Sequence, residues 1–161
     1  MRNCQKYNHI YTTLDDLKGV AAWTPPGKPE MNTWQILSML FALPGKCGWH
    51  RLGRWLPILS TLHQRHQVEM TEPHWILSFL GVAPTYQGQG IGSLLLQPVL
   101  EQADRESLPC YLFTSTEQAV CFYQKHEFVV LWQGELSDGS PCAWTMKREP
   151  RSTILSPTLH L

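Results

Sequence analysis

With 161 residues and 43% apolar content, the chain is the size of one domain and carries enough apolar side chain for a single core. Lys plus Arg equal Asp plus Glu at 13 each, so the formal net charge is zero and no global field draws nucleic acid or anionic lipid to it. Five scattered cysteines without a CxxC pair exclude a disulfide frame and read as reduced packing residues of a cytoplasmic protein.

Taken in chain order, His9–Thr13 and Val20–Trp23 are β-rich runs flanking Leu14-Asp-Asp-Leu-Lys-Gly19, and the pattern predicts an antiparallel hairpin. Pro25, Pro26 and Pro29 remove backbone donors, so the chain leaves the sheet there. Trp34, Leu37, Leu40 and Phe41 recur at helical spacing over Thr33–Phe41, until Leu43-Pro-Gly45 stops them. A second helical stripe follows at Trp49, Leu52, Leu56, Leu59 and Leu62, with a kink expected at Pro57. Its Trp and Arg residues are read as the pattern of a helix packed on a sheet, not as a membrane-surface helix. His63 and His66 lie one turn apart without further ligands nearby, and no metal site is predicted. The N-terminus lacks the order of a signal peptide, and no apolar run approaches the ~20 residues of a membrane span, so the chain is read as soluble.

The run His74–Val82 is almost wholly apolar and predicts a strand buried on both faces in mid-sheet. Loop and helix follow from Gln87 to Glu106, then an apolar strand at Pro109–Ser115 and a helix at Gln118–His126. Strand, helix and strand in this order make a parallel βαβ crossover. Phe128–Leu136 and Pro141–Lys147 flank Ser137-Asp-Gly-Ser140, an Asp-Gly hairpin signal, and the Pro, Ser and Thr rich tail at 150–161 is read as mobile. The fold class is therefore α/β (α+β), a mixed sheet flanked by helices in one domain over 1–149.

The chemistry is carried by Gly81-Val-Ala-Pro-Thr-Tyr-Gln87-Gly-Gln-Gly-Ile-Gly92, which leads from the apolar strand into a helix. Glycines on alternate positions let the backbone turn sharply and gather N–H groups into one concavity, where the helix N-terminus adds positive charge. That describes a pyrophosphate cradle. A P-loop would carry Lys and then Ser or Thr after its last glycine, whereas Gly92 is followed by Ser93-Leu94. A Rossmann fingerprint needs GxGxxG and an acidic residue ending the next strand, whereas this loop reads GxGxG and the strand ends Phe113-Thr-Ser115.

The pattern Q-x-x-G-x-G at Gln87, Gly90 and Gly92, with the stretch His74–Gly92 before it and Phe122-Tyr123 after it, resembles the coenzyme A signature of the GNAT acetyltransferases. Within that superfamily the sequence is most like puromycin N-acetyltransferase and its relatives. The resemblance implies acetyl-CoA held between two splayed parallel strands and attacked directly by an amine, with no metal. It implies that the backbone of Leu80, Gly81 and Val82 pairs with pantetheine amides and that Gln87, Gly88, Gln89, Gly90, Ile91, Gly92 and Ser93 form the cofactor loop, the amides and Ser93 holding the pyrophosphate. It also implies that Tyr123 is the general acid for the departing thiolate, which its ordinary pKa of about 10 against about 8.5 for a thiol permits. By likeness to puromycin acetylation the implied acceptor is a small-molecule primary amine, with a protein N-terminus or lysine as the alternative, and a homodimer is an open option.

The sequence departs from the family pattern in several places. Phe113 stands where close relatives carry an acidic residue, Ala119 where an asparagine is common, and Glu127 where glycine precedes the next strand. A left-handed backbone at Glu127 would be strained by about 1 kcal/mol. The front of the chain resembles a family member without its first strand and helix, which raises a second reading, a coenzyme A binding or interaction module with weak or no turnover. His50, Glu72 and His74 are candidate water-linked bases without a distinguishing feature.

Overall fold

The computed structural model describes residues 4–7, 9–13, 18–27, 60–135 and 142–151. Its strands in chain order are β1 (Cys4–Tyr7), β2 (Ile10–Thr13), β3 (Gly19–Thr24), β4 (Trp75–Val82), β5 (Cys110–Thr114), β6 (Val129–Glu135) and β7 (Cys142–Arg148). Residues 60–69 are helical and are called α1; α2 (Ile91–Glu106) and α3 (Glu117–Gln124) follow β4 and β5. The strands form one sheet in the order β1-β2-β3-β4-β5-β7-β6.

The predicted hairpin is present, with β2 and β3 antiparallel and Tyr11 opposite Ala21. The sheet begins one strand earlier than the sequence pattern indicated, because β1 pairs with β2. The helix expected at Thr33–Phe41, the stripe from Trp49 through Pro57, the Ser137–Ser140 turn and the tail beyond Arg151 lie outside the described residues. The lower end of that stripe, from residue 60, is helical as expected.

β3 alternates strictly, with Gly19, Ala21 and Trp23 buried, as a strand half-covered on one face should. The covering layer is α2, whose Ile91, Leu95, Leu96, Val99, Leu100 and Ala103 recur at helical spacing and are all buried. Together with Trp75, Leu77, Leu112 and Met146 they make the core. The indole N–H of Trp75 donates to Glu106 Oε2 at 2.8 Å, so this 1% exposed side chain buries its ring without orphaning its polar tip. α3 starts at Thr116, whose hydroxyl accepts from the Ala119 N–H at 3.3 Å, with Glu117 in the first turn where the helix dipole favours an acid.

The crossover is confirmed, since β4 and β5 run parallel, paired at Trp75–Leu77 against Cys110–Leu112. Burial of β4 on both faces is not. Trp75 and Leu77 are buried, but Phe79 is 56% exposed and the strand from Ser78 onward is open or half-open. The cause is geometric. β4 loses its parallel neighbour after Leu77 and carries a register shift there, Ser78 having no partner on β3 between the pairs Trp23–Leu77 and Ala22–Phe79. Such a bulge bends the strand and increases its twist.

A charged cluster ties α2 to β7, the strand between β5 and the β6 edge. Arg148 on β7 is 2% exposed and forms a bidentate pair with Asp104 of α2, at 2.7 and 2.9 Å. Asp104 also accepts the Arg151 backbone N–H at 2.8 Å, and Arg151 reaches back to Glu127 at 2.7 and 2.8 Å. Glu127 has φ 67°, the left-handed backbone anticipated for a position where relatives use glycine. Replacing it by glycine removes roughly 1 kcal/mol of strain, loses an exposed ion pair and adds backbone entropy to the unfolded chain. These oppose one another, so Glu127→Gly is expected to shift the urea unfolding free energy by no more than about 1 kcal/mol. A larger loss would mean that the carboxylate is structurally required by Arg148.

Candidate active site

The site is built where β4 and β5 part. Five residues of β4, Ser78–Val82, extend past the last parallel pair, as do Phe113 and Thr114 of β5. The direction of the backbone groups follows from alternation. Ala83 N–H donates to Lys18 O on the β3 side at 2.8 Å, so the N–H and C=O of Val82 and Leu80 point away from β3 into the gap, and those of Gly81 point toward β3. The Gln87 amide donating to Val82 O at 3.0 Å agrees with this. Of the three residues expected to pair with a ligand, Leu80 and Val82 are therefore placed to do so, and Gly81 spends its backbone on the sheet.

The loop then takes the shape its glycines predict. Pro84–Tyr86 forms one 3-10 turn, Gly88 and Gly90 have φ of 74° and 78°, and α2 starts at Ile91. A Cβ at either glycine would meet no atom within 4 Å, so both are required by backbone conformation and the concavity in front of them is open. Gly92 lies close under Phe122, and a Cβ there would stand 3.0 Å from the ring, which would have to give way. No side chain caps α2, and the N–H groups of Gly88, Gly90, Ile91 and Gly92 have no backbone partner among the described residues. An uncapped N-terminus of a 16-residue helix is a favourable place for a diphosphate. The two glutamines brace this loop: Gln87 holds Val82 O, and Gln89 donates to Thr85 O at 3.3 Å.

Ser93 lies in the first turn of α2, and its Oγ is 2.9 Å from His126 Nε2. His126 was not singled out in the sequence, where a lone histidine after a helix carries no signal. Burial and the charge of Arg148 hold its imidazole below the ordinary value, against a smaller opposing effect of Glu127. Tyr123 sits one turn earlier on α3, 7% exposed, with its ring edge-on to Phe122 and Phe128. Its hydroxyl has no hydrogen-bond partner among the described residues, and burial pushes it up to about 12. The folded value lies above that of an unfolded tyrosine, about 10, so this group's contribution to stability is complete below pH ~10 and is lost as pH rises through 12. Burial likewise pushes Cys110 up to about 12 from a lower ordinary value, so its loss starts earlier. Tyr123→Phe should accordingly flatten the fall of the urea midpoint above pH ~10 while leaving its onset near pH ~9.

The other candidate bases are elsewhere. His74 lies at the start of β4, opposite the loop end, where its Nε2 is 2.6 Å from that of His66 and its Nδ1 is 2.6 Å from Glu72 O. Glu72 pairs with Lys147 at 2.8 Å. His50 is outside the described residues. Phe113 is 37% exposed, so the position that carries an acid in relatives presents a ring. No group of three or more His, Cys, Asp or Glu among the described residues could hold a metal ion, and no described helix is long and apolar enough to cross a membrane.

Comparison with known proteins agrees with this geometry. Residues 59–130 match the family model described as Acetyltransferase (GNAT) domain. An uncharacterised N-acetyltransferase of Schizosaccharomyces pombe is 28% identical over 132 residues, covering 76% of this chain and 53% of that protein. A probable serine/threonine-protein kinase of Dictyostelium discoideum is 32% identical over 115 residues, covering 68% of this chain and 11% of that protein. The chain thus spans about half of the first curated relative and about a tenth of the second. Among solved structures, a mosquito arylalkylamine N-acetyltransferase like protein superposes with TM-score 0.60 at 16% identity, covering 88% of this chain and 74% of that one. A Corynebacterium glutamicum structure described as histone acetyltransferase HPA2 and related acetyltransferase gives 0.58 at 19% identity, covering 91% and 66%. These structures share the fold, and residues 59–130, which hold the strand, the glycine loop and the helix that follows it, are similar to the GNAT acetyltransferase domain.

Proposed function

We propose that the chain transfers an acetyl group from acetyl-CoA to the primary amine of a small molecule by direct attack. The observation that carries this reading is the juxtaposition of a parallel strand pair that splays after Leu77 with a left-handed glycine loop opening α2. A pantetheine arm fits the gap because Leu80 and the Val82 N–H face it, and a diphosphate fits the N–H groups of Gly88, Gly90, Ile91 and Gly92. The Leu80 N–H, turned away from β3, is the donor we assign to negative charge developing on a carbonyl oxygen. Tyr123 holds a proton that a departing thiolate can take.

The amine class is supported by fold neighbours named as arylalkylamine and agmatine N-acetyltransferases. The second reading, binding without turnover, is favoured by the exposed ring of Phe113 where an acid would sit. Calorimetric titration of the full chain with acetyl-CoA, followed by a thiol-release assay against aryl- and alkylamines, tests both. Saturable binding abolished by Gly90→Asp, which combines a forbidden φ with a repelling carboxylate, together with turnover of an amine, supports transfer. Binding without turnover of any amine leaves the second reading, and a folded sample that does not bind refutes both.

A further inference from the structure

We propose that His126 is a positioning residue for the cofactor diphosphate, its Nε2–H donating to Ser93 Oγ so that the Ser93 hydroxyl proton is turned toward the anion. The inference rests on the acetyl-CoA reading above and assigns a specific part of its binding site.

The Ser93–His126 bond of 2.9 Å allows two arrangements. In one, the serine donates to the ring and presents lone pairs to the cradle, which repels a phosphate oxygen. In the other, Nε2–H donates to Oγ and the hydroxyl proton is free to donate outward. A diphosphate on the N–H groups of Gly88, Gly90, Ile91 and Gly92 selects the second, because a phosphate oxygen needs the one hydroxyl proton that the first arrangement gives to the ring. Ser93 is in the first turn of α2, the end from which those N–H groups project.

His126 is held for this purpose from two sides. Its backbone N–H donates to Tyr123 O at 2.9 Å, continuing the turn that ends α3. Its ring stands edge-on to Phe122, 5.0 Å between centroids, and Phe122 abuts Gly92 in that same first turn of α2. The charged groups around it are Arg148 from β7 and Glu127 from its own turn, and burial with Arg148 disfavours the imidazolium. His126 therefore acts through hydrogen-bond direction and not through added charge, and α3 with the turn that ends it supplies both the phenol and the diphosphate brace.

The test is calorimetry of acetyl-CoA and of 3′-dephospho-coenzyme A on the full chain and its His126→Ala, His126→Gln, Ser93→Ala and doubly alanine-substituted variants, each checked for an intact melting transition. His126→Ala should weaken acetyl-CoA by roughly ten-fold, the loss of about one hydrogen bond to a charged group. Ser93→Ala should cost a similar factor, and the double variant no more than either alone. Glutamine, which offers an N–H at similar reach, should restore most of the affinity, and the loss should persist with the dephospho compound. Additive losses, no rescue by glutamine, unchanged affinity in His126→Ala, or a loss that vanishes without the 3′-phosphate would each overturn the assignment while parent binding keeps the acetyl-CoA reading. Failure of the parent to bind would take down both.

Discussion

Tyr123→Phe is expected to lower the acetyl-transfer rate by 10²–10⁴-fold, the usual range for removing a general acid, with acetyl-CoA affinity retained. Only the hydroxyl changes, and the ring keeps its packing against Phe122 and Phe128. The phenol, pushed up to about 12, is fully protonated at neutral pH and available as a donor. Against a thiol of ordinary value, about 8.5, complete transfer of its proton would be uphill by about 5 kcal/mol. That is well below the ~16 kcal/mol barrier of an enzyme turning over about ten times per second, and a thiolate leaving into an apolar site is itself raised by desolvation. The basic side of the pH–rate profile should therefore stay flat to about pH 10, so a decline between 8 and 10 would belong to another group. A Tyr123→Phe rate equal to the parent's would reduce Tyr123 to a core aromatic.

The largest effect on stability is expected at Arg148. Truncation to alanine leaves the Asp104 carboxylate, 19% exposed, without its bidentate partner. Breaking such a pair costs about 3–5 kcal/mol, and the partial access of Asp104 to water places the loss near ~3. Burial raises the Asp104 carboxyl, but the Arg148 hydrogen bonds, the Arg151 N–H and both guanidinium charges bring it below its ordinary value. With the folded value depressed, this stabilisation is present above pH ~4 and is lost as pH falls through the folded value. Urea unfolding at pH 7 and pH 3 should show the parent losing more on acidification than Arg148→Ala, while Arg148→Met paired with Asp104→Leu should recover most of the loss at pH 7. Equal acid sensitivity of parent and Arg148→Ala would show that the pair is not what acid breaks.

Legibility from sequence followed the range of the forces involved. α2 was readable because one face of the helix meets one core, so Ile91, Leu95 and Val99 fall on the helical period. The loop was readable because left-handed turns at Gly88 and Gly90 exclude side chains, and that restriction is written in residue type. Glu127 is the instructive intermediate case. Its left-handed backbone could be anticipated from where glycine is usual, but its bonds to Arg151 and Arg148 could not. β1 gives no signal because Cys4-Gln-Lys-Tyr7 holds no β-branched residue, whereas the equally short Ile10–Thr13 holds three. β4 was misjudged because hydropathy reports what a strand could bury, whereas the loss of a neighbour after Leu77 decides what it does bury.

By itself the sequence determined the strand–loop–helix unit, the order of the elements after Thr71, and the left-handed glycine loop on which an anion can rest, because each depends on residues close together in the chain. Only the tertiary structure decided that β4 bulges at Ser78 and parts from β5, that Leu80 and Val82 face the gap while Gly81 does not, and that Arg148 is buried against Asp104. It alone brought His126 to Ser93, residues 33 positions apart. These features arise from pairings between distant segments, whose geometry depends on how sheet and helices close on one another, and no local pattern of residue types encodes that closure.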